Sequence, residues 1–344
     1  MNLSVIIPVY NASDFFETTL KAVLSQTQKP NEIIIVDDGS TDESYATCLK
    51  YQILYPELIY INTHNHGPGY ARNIGIAIAS SEWIAFCDSD DIPDASMYEL
   101  MSREIINTNT DFCACSYFSD RDNREEGFPW RENSFEGVAV IENYMASMIG
   151  NNDDKNDGQP LWGCCWRGLY NAKIIHDNRI LFPEDIRFAE DLVFNLRYLV
   201  CCKSISIIHT PLYHYRCNPT SLMISSTSGY TRRMFVSRRI LVTYIEEVIN
   251  KVPLSQRNDL LRRLRVTERS YYSECVGNAF TKAGYRTTSE MLSEARQIIY
   301  DEKTQEVFKS FRISTLKKTL LYFAIKYKLI GILFIYYRMR LGDK

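Results

Sequence analysis

The sequence lacks the patterns that mark several common classes of protein. It contains only 5 histidines, none of its 10 cysteines forms a CxxC pair, and no His/Cys group has the spacing of a zinc site. No GxxxxGK[ST] motif is present, and Gly67-Pro68-Gly69 lacks the third glycine of a dinucleotide fingerprint. The longest apolar run near the C-terminus, Leu329–Tyr337, has nine residues, whereas a membrane-spanning helix needs about 20. These absences argue against a zinc protein, a P-loop enzyme, a dinucleotide-binding protein and a transmembrane protein.

The cysteines and the N-terminus both favour a reducing compartment. Cys113 and Cys115 alternate within an apolar stretch, as two residues on one face of a strand would, and the adjacent pairs at 164–165 and 201–202 are awkward for mutual disulfides. No basic segment precedes the apolar Leu3–Val9, so the N-terminus does not have the pattern of a signal peptide. We therefore expect free, buried thiols and a cytoplasmic location.

The composition is that of a globular protein, but the charge is unevenly distributed. Hydrophobic residues make up 45% of the chain and charged residues 24%, which excludes a disordered protein. The net charge of -3 is the sum of -15 over residues 1–230 and +12 over residues 231–344. An acidic first part joined to a basic last part predicts two regions with different partners.

The first 90 residues alternate between short apolar runs and helical patterns. Four runs rich in β-branched residues are predicted strands: Ser4–Val9, Glu32–Val36, Leu58–Ile61 and Trp83–Cys87. This alternation predicts an α/β fold with a mainly parallel sheet, and beyond Tyr230 the pattern is almost wholly helical. We therefore expect an α/β domain over residues 1–228 and an all-helical C-terminal region over residues 229–344, with polar loops near 150–160 and 218–229.

Acidic clusters follow two of the predicted strands, at the edge of the sheet where ligands bind in open α/β folds. Asp88 and Asp90 suit a divalent cation that also contacts a diphosphate, although Asp90 could instead cap the following helix. A carboxylate of Asp37-Asp38 suits a ribose hydroxyl or a base N–H, and the alternative is an Asx turn.

A further acidic pair opens a predicted helix at Phe188–Leu199. Glu190-Asp191 either complements the helix dipole or supplies a general base that takes a proton from an attacking hydroxyl. Later in the chain, Arg216 either clamps a phosphate or is solvated. The residues alone do not decide between these alternatives.

Taken in this order and spacing, the motifs resemble a family 2 glycosyltransferase of the GT-A fold, of the type that builds bacterial surface polysaccharides. The resemblance runs from Leu3 to about Ser221. The segments that carry it are Ser4–Asn11, Ile33–Asp42, Asn65–Asn73, Ile84–Asp91, Trp166–Tyr170, Phe182–Phe194 and Leu212–Arg216.

The resemblance implies a binding site for a nucleotide-sugar donor, most often a UDP-sugar. In it Tyr10 would stack on the base, Asp38 would hold the base or the ribose, and Asn65 and Arg72 would flank the base pocket. The full set of residues implied to bind the nucleotide-sugar is Pro8, Val9, Tyr10, Asp38, Asn65, Arg72, Asp88 and Ser89.

The resemblance also implies a reaction, namely a single inverting displacement. Asp88 and Asp90 would bind Mn2+ or Mg2+, which neutralises the charge growing on the departing diphosphate. Asp191 would act as the catalytic base towards the acceptor hydroxyl, and Trp166 and Glu190 would lie on the acceptor side. The expected acceptor is a lipid-linked glycan or an oligosaccharide in capsule, O-antigen or exopolysaccharide synthesis.

Two departures from the family pattern and two rival functions remain. The segment 150–160 is unusually rich in Asn and Asp, and His66 stands where many relatives carry a small residue. A sugar-1-phosphate nucleotidyltransferase would normally have a Gly-rich and basic loop after the first strand, which this chain lacks. A catalytically inactive sugar-nucleotide-binding scaffold is the other rival, and intact Asp88, Asp90 and Asp191 argue against it.

The basic C-terminal region predicts a contact of its own. Residues 314–340 combine an apolar, aromatic stretch with flanking and interrupting lysines and arginines, which suits a helix in the interface of an anionic membrane. This would make the protein peripheral on the cytoplasmic face of the inner membrane. The alternative is that the segment packs on protein, either its own domain or a second subunit of a homo-oligomer. Five arginines between 257 and 269 come with no nucleic-acid-binding motif, so no nucleic acid is expected.

Overall fold

The fold is described from a computed structural model of the chain. The structure describes residues 1–151, 161–218, 231–281, 287–309, 311 and 316–342. The chain divides into two compact units, Met1–Met148 with Leu161–Pro219 and Ile149–Pro160 with Thr220–Lys344. The predicted domain boundary at 228/229 and nearly all of the loops predicted at 150–160 and 218–229 lie outside the described residues.

The first unit is built on one mixed sheet of ten strands, with the order β3-β2-β1-β4-β9-β6-β10-β5 and with β7 on β6 and β8 on β10. Its strands are β1 Leu3–Val9, β2 Glu32–Asp37, β3 Leu58–Asn62, β4 Trp83–Phe86, β5 Ile92–Pro93, β6 Phe112–Ser119, β7 Arg124–Glu126, β8 Ser134–Glu136, β9 Gly168–Asn171 and β10 Ser204–Tyr215. The first four strands are parallel, as predicted, and all side chains of β1 are buried. A strand buried on both faces explains why this run is apolar without alternation.

Short helices connect and cover these strands. They are α1 Ser13–Leu24, α2 Ser44–Leu54, α3 Pro68–Ile78, α4 Met97–Thr108, a π-helical turn at Val140–Met145 that continues as α5 Ala146–Ile149, α6 Ala172–Asp177 and α7 Glu190–Leu199. Helix α3 lies against β1 so closely that a Cβ on Gly75 would come within 2.4 Å of the Ile6 side chain. Glycine at this position therefore lets the helix that carries Arg72 approach the sheet.

The register of the parallel strands places their carboxyl ends at one edge. Val9 pairs with Asp37, and Asp37 pairs with Asn62, so β1, β2 and β3 end level with one another. Phe86 of β4 pairs with Ile6, so the segment that begins at Asp88 leaves the sheet beside the end of β1. The acidic clusters that follow β2 and β4 therefore emerge at the same edge.

The other half of the sheet differs from the sequence prediction. The antiparallel strand β9 lies between β4 and β6, and it was not predicted. The long strand β10 spans Ser204–Tyr215, and its pairing with β6 shifts register on either side of Pro211. All ten cysteines are free, and Cys113 and Cys115 are buried within β6.

The second unit is helical throughout its described residues. Its helices are α8 Thr231–Ile249, α9 Leu254–Thr281, α10 Thr288–Ile299, α11 Glu302–Val307, α12 Leu316–Lys326 and α13 Ile330–Gly342. The single helical segment predicted over 314–340 is two helices, because Lys328 adopts a left-handed conformation with φ of 57°. Within the described ranges, no helix is both long enough and apolar enough to cross a bilayer.

Candidate active site

The segment Asp88–Asp91 after β4 is fixed by bonds from two other elements. Thr19 of α1 donates from its hydroxyl to the Ser89 carbonyl at 3.0 Å. The backbone N–H of Arg216 donates to Asp91 Oδ1 at 2.9 Å, and Arg216 Nε donates to the Asp90 carbonyl. Asp91 is fully buried, so it holds the end of β10, while Asp88 and Asp90 are the partly exposed carboxylates.

Arg216 is therefore engaged by protein groups rather than solvated, and its contact with a phosphate stays a prediction. Besides its bonds to the acidic segment, its Nη2 donates to the Phe15 carbonyl at 3.2 Å and to the Thr19 hydroxyl at 2.9 Å. Its guanidinium carbon also lies 5.1 Å from the centre of the Phe15 ring. Arg216 connects the end of β10 to α1 and to the segment Asp88–Asp91. These contacts join residues that are far apart in the chain, so a sequence pattern does not reveal them.

A second arginine joins the two acidic motifs that the sequence singled out. Arg72 lies on α3 and is buried, and its Nη2 donates to Asp88 Oδ1 at 2.8 Å while its Nη1 donates to Glu190 Oε1 at 2.8 Å. The guanidinium carbon lies 5.3 Å from the centre of the Phe182 ring. Arg72 was predicted beside the base pocket, whereas the structure makes it the bridge between the loop after β4 and the start of α7.

Glu190 and Asp191 occupy the first turn of α7, and only one of them is paired with Arg72. Glu190 is buried in its ion pair, so its carboxylate has little surface to offer an acceptor, contrary to the prediction. Asp191 is half-buried, and its Oδ1 accepts the backbone N–H of Leu192 at 2.8 Å. Burial and the neighbouring Glu190 charge raise the pKa of Asp191 to about 8. A carboxyl with a pKa near neutrality is suited to exchanging a proton with a substrate.

The backbone at the entrance to α7 is held in an uncommon conformation. Ala189, the residue before Glu190, has φ of 58°, a region that costs a non-glycine residue free energy. The preceding loop is anchored by Asn73 of α3, which accepts the Phe182 N–H at 2.9 Å and donates to the Phe182 carbonyl at 3.0 Å. Asn73 is a supporting residue that sequence reasoning included in a motif without giving it a role.

Both carboxylates of the acidic pair after β2 are buried and accept hydrogen bonds from protein donors. Asp37 is buried and accepts hydrogen bonds from the Ser40 N–H, three residues further on, at 2.8 Å and from the Tyr60 hydroxyl at 2.9 Å. Asp38 accepts the backbone N–H groups of His66 at 2.9 Å and Gly67 at 2.7 Å. With a residue exposure of 3%, Asp38 orders the loop before α3 rather than offering a free carboxylate to a ribose or a base.

Of the other residues predicted to bind the nucleotide, one has an exposed ring. The side chains of Pro8 and Val9 are buried in the sheet, so only their backbone could line a pocket. Tyr10 follows at the end of β1 with 47% of its surface exposed, which suits stacking on a base. Asn65 is exposed, and its Oδ1 accepts a hydrogen bond from Arg187 at 3.1 Å.

The tryptophan predicted to face the acceptor is a core residue. Trp166 is 3% exposed and stacks on Tyr213, with the ring centres 4.3 Å apart, because β10 brings aromatic rings against it. The Tyr213 hydroxyl in turn accepts the Asp88 N–H at 3.2 Å, so Trp166 supports the acidic loop from beneath. The exposed tryptophan of this segment is Trp162, at 45%.

The carboxylates after β4 fit a divalent cation that takes its remaining ligands from a substrate. Asp88 is engaged through Oδ1 by Arg72, and Asp90 Oδ2 accepts a hydrogen bond from Asn218 at 2.9 Å. Burial and the Asp88 charge raise the pKa of Asp90, a penalty that a bound cation would relieve. Within the described residues no cluster of three or more Asp, Glu, His or Cys side chains could hold a metal by itself. Two carboxylates completed by phosphate oxygens are a typical Mg2+ arrangement.

The fold is an α/β sheet that carries paired carboxylates at the carboxyl ends of its parallel strands, as expected for the GT-A fold. Residues 4–170 match the model of the family described as Glycosyl transferase family 2. This match supports the family predicted from the sequence, and the predicted α/β fold class is confirmed.

Curated relatives and solved structures agree with this assignment. The chain is 31% identical over 220 residues to the uncharacterized glycosyltransferase EpsJ of Bacillus subtilis strain 168, covering 64% of this chain and 62% of EpsJ, which is less than two thirds of that relative's length. It is 28% identical over 310 residues to the putative glycosyltransferase EpsH of the same organism, covering 88% of this chain and 85% of EpsH. The crystal structure of Staphylococcus aureus TarS 1-349 in complex with UDP-GlcNAc shares the fold, with a TM-score of 0.70 at 20% identity over 98% of this chain and 92% of that one.

Proposed function

We propose that this protein is an inverting, metal-dependent glycosyltransferase. It would move a sugar from a nucleotide-sugar, with UDP as the nucleotide, to a hydroxyl of a glycan acceptor in surface polysaccharide synthesis. The observation that carries the proposal is the double ion pair of Arg72. This pair holds the Asp88 loop, which suits a donor diphosphate, beside the helix end that presents Asp191, which suits a base.

The donor end of the site would be assembled from the sheet edge. Tyr10 would stack on the base, because its ring is exposed at the end of β1. Asp88 and Asp90 would hold Mn2+ or Mg2+ together with the diphosphate of the donor. The cation would neutralise negative charge on the diphosphate as it departs.

The base end would be Asp191. In its ionised form it would accept the proton of the acceptor hydroxyl while that oxygen bonds to the anomeric carbon and the bond to the diphosphate breaks. The proton ends on Asp191 and the electron pair leaves with the nucleoside diphosphate, so no covalent enzyme intermediate is needed. A single displacement of this kind inverts the anomeric configuration.

The choice of UDP and of a surface polymer draws support from a relative with the same fold. TarS is described as a poly(ribitol-phosphate) beta-N-acetylglucosaminyltransferase, and its structures hold UDP-GlcNAc and UDP. For the present chain the sugar and the acceptor hydroxyl are left to experiment, because the loops that would contact them vary within such folds.

A panel of nucleotide-sugars tests the proposal. The purified full chain is incubated with UDP- and GDP-sugars and glycan fragments, with Mn2+ or with EDTA, and release of the nucleoside diphosphate is measured. We expect UDP release that requires the cation, and we expect Asp191→Asn to lower turnover by about two to four decades with UDP binding retained.

The matched control is Asp177→Asn, the same change at an exposed aspartate that pairs only with Lys173 in the described structure. Equal turnover of Asp191→Asn and the control would contradict the role of Asp191. Release of pyrophosphate instead of UDP would indicate a nucleotidyltransferase, and UDP binding without any release would indicate an inactive scaffold.

A further inference from the structure

The two C-terminal helices of the second unit each bury one face. Ala324 and Ile325 of α12 and Leu333 and Tyr337 of α13 are buried in the hydrophobic core of that unit. Packing therefore accounts for one side of each helix, as the alternative in the sequence prediction held. It does not account for the opposite side.

The opposite side of each helix exposes an apolar stripe. On α12 and the residue that follows it, the stripe has i, i+3, i+7 spacing, and the stripe on α13 has the same spacing. These residues, here called the C-terminal patch, are Leu320, Phe323, Tyr327, Ile332, Ile335 and Met339, each between 48% and 69% exposed. Single exposed apolar residues are ordinary, but two such stripes on consecutive helices mark an interaction surface.

The charged residues of the two helices that carry the C-terminal patch have one sign. Residues 316–342 contain six lysines and arginines and no aspartate or glutamate. Among those whose side chains are described, Lys318, Lys328 and Arg338 are exposed. The Lys328 ammonium lies 4.6 Å from the centre of the Tyr300 ring, and Arg338 lies 5.9 Å from the Phe334 ring. The occupant of this surface must therefore combine an apolar body with negative charge.

We propose that the C-terminal patch inserts into the headgroup–acyl boundary of an anionic phospholipid membrane, so that the protein binds peripherally. A lipid surface supplies both the apolar and the anionic component. The helices have 11 and 13 residues, so they are suited to lying in the interface rather than crossing it. A second copy of the chain fits less well, because two such patches facing each other would bring only like charges together.

Vesicle flotation of the full chain tests the proposal independently of transferase activity. Vesicles of phosphatidylcholine alone are compared with vesicles that contain about 30% phosphatidylglycerol. We expect binding to the anionic vesicles, and we expect a double variant Phe323→Ser, Ile335→Ser to weaken it by about tenfold or more, since two inserted side chains are lost. The matched control is Ile53→Ser, Ile106→Ser, which removes two residues that are 85% and 67% exposed in the first unit.

The electrostatic part is tested by Lys328→Ser, Arg338→Ser and by salt. Each cation is expected to contribute about fivefold to the affinity at low ionic strength, and raising the salt should remove most of that contribution. The proposal is overturned if neutral and anionic vesicles bind alike, or if the patch variant and its control weaken binding equally. It is also overturned if light scattering shows a dimer that the patch variant dissociates. Circular dichroism of each variant confirms that the helices are retained.

Discussion

The acidic pair after β2 and the acidic pair after β4 emerge at the same edge of the sheet, yet their surroundings differ. The first pair is buried in hydrogen bonds to the protein, and the second is partly exposed. Asp37 and Asp38 accept hydrogen bonds from three backbone N–H groups, a tyrosine hydroxyl and an asparagine amide. Asp88 and Asp90 face one arginine, one amide and each other, and the pKa of Asp90 is raised. The comparison shows that a carboxylate at a strand end becomes a candidate for chemistry when it stays partly exposed beside a second carboxylate, rather than buried among backbone donors.

Among substitutions within these two acidic pairs, the largest effect on turnover is expected at Asp90. Replacing Asp90 by Asn removes a proposed cation ligand and also a like charge beside Asp88, so turnover should fall by about two to three decades while folding stability is kept or rises. The measurements are steady-state UDP release, calorimetric UDP titration with Mn2+ or EDTA, and thermal unfolding. Equal UDP affinity with and without EDTA in the unsubstituted protein would contradict cation binding by Asp88 and Asp90, and with it the proposed difference between the two acidic pairs.

The next largest effect is the dependence of turnover and stability on pH, which we expect to arise from Asp191. Because its pKa is raised to about 8, turnover should rise about tenfold per pH unit below 8 and level off above it. The folded protein binds a proton that the unfolded chain releases between the ordinary carboxyl pKa and 8, so stability should fall as the pH rises through that window. Asp191→Asn should abolish this fall, which chemical unfolding at pH 5, 7 and 9 can measure. A stability profile identical to that of the unsubstituted protein would refute the buried-acid interpretation.

The smallest effect on turnover is expected after β2. Asp38→Asn keeps one acceptor oxygen for the His66 and Gly67 N–H groups and loses the other, which should cost about 1–3 kcal/mol of stability. Turnover of the folded fraction should fall less than tenfold, because the side chain shapes a loop and is shielded from ligands. Denaturant unfolding and UDP release are compared with the same Asp→Asn change at Asp90. A thousandfold loss of turnover in Asp38→Asn at unchanged stability would contradict a purely structural role for Asp38.

Local patterns predicted the strands that carry the site. The apolar runs that became β1 to β4 and the acids that follow them were located to within one or two residues, because a strand buried on both faces leaves an unbroken apolar signature. The family motifs added the reaction class. Both kinds of inference depend on residues that are neighbours in the chain.

What the sequence missed depends on contacts between distant residues. Trp166 is buried because Tyr213, which belongs to a strand far along the chain, stacks on it. Asp38 is buried because the loop at His66 folds back over it and donates a backbone N–H to each of its oxygens. In the second unit, Arg263 and Arg269 of the five-arginine segment are buried, so a run of cations did not make a continuous basic surface. No local periodicity carries such information.

The bridge formed by Arg72 also bears on how sequences of this kind can diverge. One guanidinium serves carboxylates at positions 88 and 190, so a change at 72 leaves the buried Glu190 without its cation, and a change at 88 or 190 removes the acceptor of one guanidinium nitrogen. Tolerated substitutions should then occur as matched sets, and positions 72, 88 and 190 should covary among descendants of a common ancestor. A segment of α3 exchanged between two relatives would need the corresponding start of α7 to move with it.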